Sequence, residues 1–281
     1  MNSKCVICGS PDKKVVFKEF EVDILKCINC GHVFSSYKAE QDYDGFFGQE
    51  VESNDHFWWN EAHEKMYADF CNRFIIGKSG RLLDVGCGLG YFVRTMVSFP
   101  TWQTFGYEIS KAAVEFAINS LKLDNISCGK VEASNFPEKY FDIITLWDVT
   151  EHIPHPDSLL SYLSSILKDK GFLFIHTPNN KIQIPKAKLK KLLKGMKRGI
   201  SYLEAKDHIN IYSMNTIKKV LQRNGFNNVK FLHLHPIQSI SGNRNPLLKF
   251  IKNLWFYCSK IIFTITFRCI NINNLFVIAK K

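Results

Sequence analysis

From about residue 81 onward, short apolar runs alternate with stretches whose apolar residues recur at helical spacing, the order expected of a sheet wound with helices on both faces. Strands are predicted at 82–85, 104–108, 125–128, 141–147, 171–179, 229–234 and 275–279. Helices are predicted from Tyr91, from Ser110 as cap to Leu121, up to about Lys168, and over 213–224 with Gly225 at the C-cap. The first forty residues differ: 15–17 and 22–25 are short β-prone runs with too little apolar sequence for a core of their own. The pattern divides the chain into a small module at 1–40, a helical linker or lid at 41–80 and a Rossmann-like α/β domain at 81–281. Basic insertions interrupt that domain near 181–206 and 244–270.

A chain of 281 residues, 46% hydrophobic and 22% charged, can bury one full-sized core with residues left for an accessory element, so disorder is excluded. The formal charge of +11 points to an anionic partner or to a lysine-rich solvated surface. The N-terminus runs from Met1 into Cys5 without an apolar signal stretch, so a reducing cytoplasm is expected, where paired cysteines suggest metal before disulfides. The most apolar tract, 254–270, is broken by Lys260 and Arg268 and falls short of the ~20 mostly uncharged residues of a spanning helix.

Cys5-Val6-Ile7-Cys8-Gly9 and Cys27-Ile28-Asn29-Cys30-Gly31 are two C-x-x-C knuckles separated by the β-prone runs. Such turns aim amides at their sulfurs, and two of them give the closed four-thiolate site of a structural zinc, with no open position for chemistry. His32 lies two residues further on and, with four cysteines in place, is expected at the ribbon surface.

Gly86-Cys87-Gly88-Leu89-Gly90 makes a glycine-rich turn from the first core strand into the helix at Tyr91. Such a turn alone also suits a dinucleotide. Asp84, two residues before the first glycine, decides between them. A carboxylate there favours a cofactor with an amino group and a sulfonium, S-adenosylmethionine, and disfavours a pyrophosphate. Glu108, followed by Ile109, ends the next strand, where acidic residues accept ribose hydroxyls. Trp147, Asp148, Glu151 and His152 follow the fourth strand, at the sheet end where ligands sit. His152 is either a general base oriented by Glu151 or Asp148, or part of a packed loop. For Phe57, Trp58 and Trp59, core packing is preferred over a lid on the cofactor.

With these residues in hand, 84–90, 141–152 and 167–179 resemble class I S-adenosylmethionine-dependent methyltransferases, in the group near the ubiquinone-biosynthesis O-methyltransferases. The resemblance covers about 55–235, and some members also begin with a zinc ribbon. It implies seven strands in the order 3-2-1-4-5-7-6. By position, Asp84, Gly86 and Gly88 would line the methionine moiety, Glu108 the ribose, and Glu132 with Ala133 the adenine edge, with Cys87, Gly90 and Ile109 also at the cofactor. Trp147 and Asp148 would flank the methyl. Gly129-Lys130 stands where many relatives have Gly-Asp. His208 falls in a loop that often borders the acceptor pocket, and both substrate contact and a structural hydrogen bond are open to it.

The first insertion is densely basic, and the second places Leu247, Leu248, Ile251, Trp255, Cys258 and Ile262 near one helical face. Two readings follow: a roof over the acceptor pocket that meets an anionic membrane surface from the cytoplasmic side, or two helices packed on each other. The expected reaction is methyl transfer to an oxygen of a small-molecule or saccharide acceptor, lipid-linked or membrane-proximal. The alternatives are an RNA methyltransferase, which the missing Asn-Pro-Pro-Tyr-type motif disfavours, and a scaffold that keeps the fold without catalysis.

Overall fold

The computed structural model of the chain describes residues 4–38, 60–200, 202–237 and 246–281. Residues 41–59 of the linker, with Phe57, Trp58 and Trp59, and the side chains of Leu247 and Leu248 lie outside the described residues.

The ribbon comprises β1 (Lys13–Glu19), β2 (Val22–Cys27) and β3 (Val33–Ser35). After it come α1 (Glu64–Phe74), β4 (Gly80–Val85), α2 (Tyr91–Met96), β5 (Trp102–Glu108), α3 (Lys111–Asn119) and β6 (Ile126–Cys128). A 3-10 turn at Val131–Ala133 leads to β7 (Phe141–Trp147), α4 (Asp157–Ile166), β8 (Leu167–Thr177) and α5 (Asn180–Lys194). The chain ends with β9 (Asn210–Ile211), α6 (Met214–Arg223), β10 (Asn228–Leu232), α7 (Pro246–Ile265) and β11 (Leu275–Lys280). The main sheet runs β6-β5-β4-β7-β8-β11-β10, the order implied by the resemblance, with β11 antiparallel to both neighbours. Most boundaries fall within a few residues of expectation, and the end of α4 differs in kind. The helix predicted to reach Lys168 stops at Ile166, and β8 begins at once because Leu167 pairs with Phe141.

Side chains alternate across β7, so each face of the sheet has its own core. Ile144 and Leu146 pack with Leu160 and Leu163 of α4 and Ile217 and Leu221 of α6. Ile143 and Trp147 pack on the other face with Phe70 of α1, Phe92 of α2 and Phe174. Ser213 starts α6 with a capping box: its Oγ accepts the Thr216 N–H, and Thr216 Oγ1 accepts the Ser213 N–H.

The ribbon is joined to the core rather than tethered to it. β3 pairs with β9, and Cys5, Ile7, Leu25 and Phe34 belong to the same apolar cluster as Ile217 and Leu221. The buried Glu19 carboxylate accepts the N–H groups of Tyr202, Leu203 and Ala205 at 3.0–3.2 Å. Arg223 forks onto Asp157 at 2.6 Å and donates to the carbonyls of Val6 and Ile7 in the first knuckle. His32, expected at the surface, is fully buried. Its Nε2 lies 2.8 Å from Asn210 Oδ1, and its ring stacks on Phe34, because the β3–β9 pairing covers that side of the ribbon.

The two insertions form helices packed on different parts of the body. α5 packs through Ile184 and Ala187 onto the ribbon with Phe17 and Tyr202. α7 turns Phe256, Ser259 and Phe263 inward, whereas the face drawn from the sequence, through Ile251, Trp255 and Cys258, points to solvent. Apolar residues surround most of this helix, so periodicity alone could not choose the buried side. Among the described residues, no helix is long and apolar enough to cross a membrane.

Candidate active site

The loop after β4 turns through Gly86, Gly88 and Gly90, all in the left-handed region. At Gly86 a Cβ would come within 2.6 Å of Val149 Cγ2, and at Gly90 within about 3.0 Å of Ile126 and Leu123, so both positions need the bare backbone. The loop is bound to the next strand: Gly86 N–H donates to Tyr107 O, and Glu108 Oε2 accepts the Gly88 N–H at 2.8 Å while its Oε1 accepts that of Ser110. Cys87 turns its sulfur toward Gly106 in the sheet, where a Cβ would meet it at 3.0 Å.

Asp84 is almost fully buried and accepts a 2.7 Å hydrogen bond from Thr145 Oγ1. Burial, reinforced by the charge of Glu108, pushes its carboxyl up to about 8. Burial raises Glu108 as well. A buried, protonated Asp84 beside a glycine turn favours a cationic ligand that would restore its charge, which fits S-adenosylmethionine. Ile109, Glu132 and Ala133 are exposed along the neighbouring edge, where a ribose and adenine would lie.

Trp147 needs correction as a cofactor wall. Its indole is buried among Tyr67, Phe70, Phe92 and Phe174, because its place in the strand alternation turns it toward α1. The next residue, Asp148, takes a left-handed φ of 53°. Its carboxylate lies 2.9 Å from His176 Nδ1 and 3.5 Å from His63 Nε2, both buried. Burial opposes ionisation, but the two histidines outweigh it and hold Asp148 well below the usual carboxylate range. Asp148 is thus committed to His63 and His176. Glu151 Oε2 accepts from Thr177 Oγ1, while its buried Oε1 has no hydrogen-bond partner among the described residues. Burial and the Asp148 charge push Glu151 well above the usual range.

His152 is instead held by the Asp207 carbonyl, 3.1 Å from Nδ1. A carbonyl only accepts, so Nδ1 carries the proton and Nε2 the lone pair. Burial, with the charge of His208, brings His152 down to about 4, so the ring is neutral at neutral pH. His208 packs edge-on against it, centroids 4.9 Å apart, and reaches Glu204 at 3.2 Å. The ligand atoms of Glu151, His152 and His208 lie within 4.8 Å of one another, so this trio could also hold a metal ion. Asn210 braces the same loop: its N–H donates to Glu151 O and its Nδ2 to Ile153 O. Sequence reasoning missed His63, His176 and Asn210. His176 had a signal, a histidine inside an apolar strand at the ligand end of the sheet.

At the far end of the ribbon, Cys5 and Cys30 sulfurs lie 3.5 Å apart, as do those of Cys8 and Cys27. Gly9 and Gly31 N–H groups close each knuckle onto Cys5 O and Cys27 O. Against the upward push of burial, the Cys30 amide, the neighbouring thiols and the Asn29 amide bring Cys27 down to about 7. All four sulfurs lie within 4.8 Å of one another, a set that fits a tetrahedral metal.

Fold and site together define a class I methyltransferase. The chain belongs to the methyltransferase domain family, whose pattern it matches over residues 58–230. It is 28% identical over 134 residues to the ubiquinone biosynthesis O-methyltransferase of Coxiella burnetii, a match covering 43% of this chain and 57% of that protein. The chain thus spans a little over half the length of the curated relatives it matches. In fold it is similar to an S-adenosylmethionine-dependent methyltransferase from Archaeoglobus fulgidus (TM-score 0.51, 20% identity, covering 86% of this chain and 100% of that one). It is also similar to phosphoethanolamine N-methyltransferase 2 of Haemonchus contortus (TM-score 0.55, 16% identity, 86% and 60% covered).

Proposed function

We propose that the protein transfers a methyl group from S-adenosylmethionine to a hydroxyl of a small-molecule or saccharide acceptor that is lipid-linked or otherwise held near a membrane. The observation that carries this reading is the pair of desolvated carboxylates, Asp84 and Glu108, at the glycine turn. When bound, S-adenosylmethionine supplies an electrophilic methyl on a sulfonium. Asp84 and Glu108 bind and orient the cofactor, and His152 Nε2 removes the acceptor's hydroxyl proton. Asp148, fixed by His63 and His176, would add negative charge at the end of β7 to favour a cationic cofactor there. Oxygen as the target is supported by the O-methyltransferases among the relatives. The four cysteines hold a structural zinc that keeps the ribbon folded.

The test uses tritiated methyl donor with phenolic, saccharide and RNA acceptors. Label in an alkali-stable ether of the first or second class is expected, and label confined to RNA overturns the acceptor assignment. His152→Ala should lower kcat about 10²- to 10⁴-fold with unchanged cofactor affinity. An unchanged kcat would remove the base role.

A further inference from the structure

The positive charge of this protein is local. Residues 180–200 and 246–270 hold 8 and 4 of the 37 Lys and Arg residues and none of the 26 acids, which leaves 25 basic against 26 acidic residues elsewhere. The whole excess of +11 therefore resides on α5 with the loop after it and on α7 with its C-terminal turn. These two elements are neighbours: Lys252 of α7 is drawn below its ordinary value by burial and by the charge of Lys186 of α5.

α7 also carries an apolar face left exposed among the described residues. Ile251, Leu254, Trp255, Tyr257, Ile261 and Ile265 are each 50–67% exposed, and Phe267 just beyond the helix is 90% exposed. At 100° per residue they fall on one arc without a charged position, while Lys252 and Lys260 lie outside it. From Ile251 to Ile265 this face is about 22 Å long at 1.5 Å per residue, and Trp255 and Tyr257 are the aromatic types that settle at lipid headgroups. On α5, Leu189, Leu192 and Leu193 are likewise exposed between lysines.

We propose that the outward face of α7, with the lysines of α5 beside it, docks on the surface of a bilayer containing anionic phospholipid, lying in the interface without crossing it. A uniform apolar arc rimmed by cations and free of acids fits that surface. RNA would leave the aliphatic arc unused, and a second copy would bring like charge against like. The orientation suits the site. β11 runs antiparallel to β8, so the chain leaving α7 re-enters the sheet at Leu275 opposite Thr177, at the ligand end. There Asn274 Nδ2 lies 3.1 Å from His176 Nε2, and His176 contacts Asp148. A docked α7 holds the acceptor side of the site close to the headgroups. The inference rests on the proposed function for its purpose, and it names the lipid surface as that site's partner.

The experiment is flotation of the full chain with phosphatidylcholine vesicles, with and without about a third phosphatidylglycerol. S-adenosylmethionine affinity is measured in the same preparations. Wild type should partition at least about tenfold more onto the anionic vesicles, and the L254E/I261E double variant should lose that binding while keeping its melting temperature and cofactor affinity. Lys190→Glu and Lys260→Glu should each cost about fivefold or more, most strongly at low salt. Folded wild type that stays off anionic vesicles, or double-variant binding equal to wild type, overturns the proposal. So does a solution dimer broken by the double variant without vesicle binding, or salt-steep RNA binding in place of vesicle binding. Vesicle binding by a protein with no cofactor affinity would sink the methyltransferase reading and leave the docking face standing.

Discussion

Asp84 is the residue where sequence and physics meet most directly. Its raised carboxyl means the folded apoprotein holds a proton that the unfolded chain has released between about pH 4 and 8, so this group's contribution to stability falls as pH rises through that window and levels off above it. A cationic ligand reverses the preference. Affinity for S-adenosylmethionine should therefore rise from pH 6 to 8, by at most about tenfold per unit, then flatten. Asp84→Asn should bind weakly at every pH, and calorimetry across the range checks both. Asp84 and Glu108 were legible because a carboxylate beside a glycine turn has a chemical meaning in one dimension. His63 and His176 were not, since they reach Asp148 from α1's leading residue and from β8, 85 and 28 positions away. Trp147 misled because its place at the end of β7 suggested ligand contact, whereas side-chain alternation sends it into the core.

At the scale of elements, the strands and their order were readable because buried parallel strands are written as apolar runs. The weld between ribbon and core was not. β9 is only two residues long, and its pairing with β3 joins positions some 178 apart in the case of His32 and Asn210. That weld couples the cysteine site to the loop after β7: the knuckles support β3, β3 holds β9, and Asn210 in β9 braces Glu151 and Ile153. Asn210→Ala should cost about 1–3 kcal/mol, because it strips the buried His32 and the Ile153 carbonyl of a partner. The change should lower kcat while leaving cofactor affinity intact, since Asp84 and Glu108 stand on β4 and β5. Stripping zinc with a chelator should loosen the same region, read as faster amide exchange over 207–212 with exchange in β4 and β5 unchanged. Equal loosening of β4 would show that the ribbon supports the whole domain, not one loop.

For the molecule as a whole, the charge is segregated along the chain: a nearly neutral methyltransferase body carries two acid-free, basic helices. Composition showed the excess charge, but which side of α7 faces solvent depended on Phe256, Ser259 and Phe263 finding His233 and the β10–β11 end of the sheet. The body's role comes first, because docking has a use only if the site binds its cofactor. The most direct measurement is calorimetric titration of the folded, zinc-loaded protein with S-adenosylmethionine and S-adenosylhomocysteine, comparing wild type with Asp84→Ala and Glu108→Ala. The account predicts micromolar binding by wild type and its loss in both variants. Absence of binding by wild type, or binding unchanged in both variants, would contradict it.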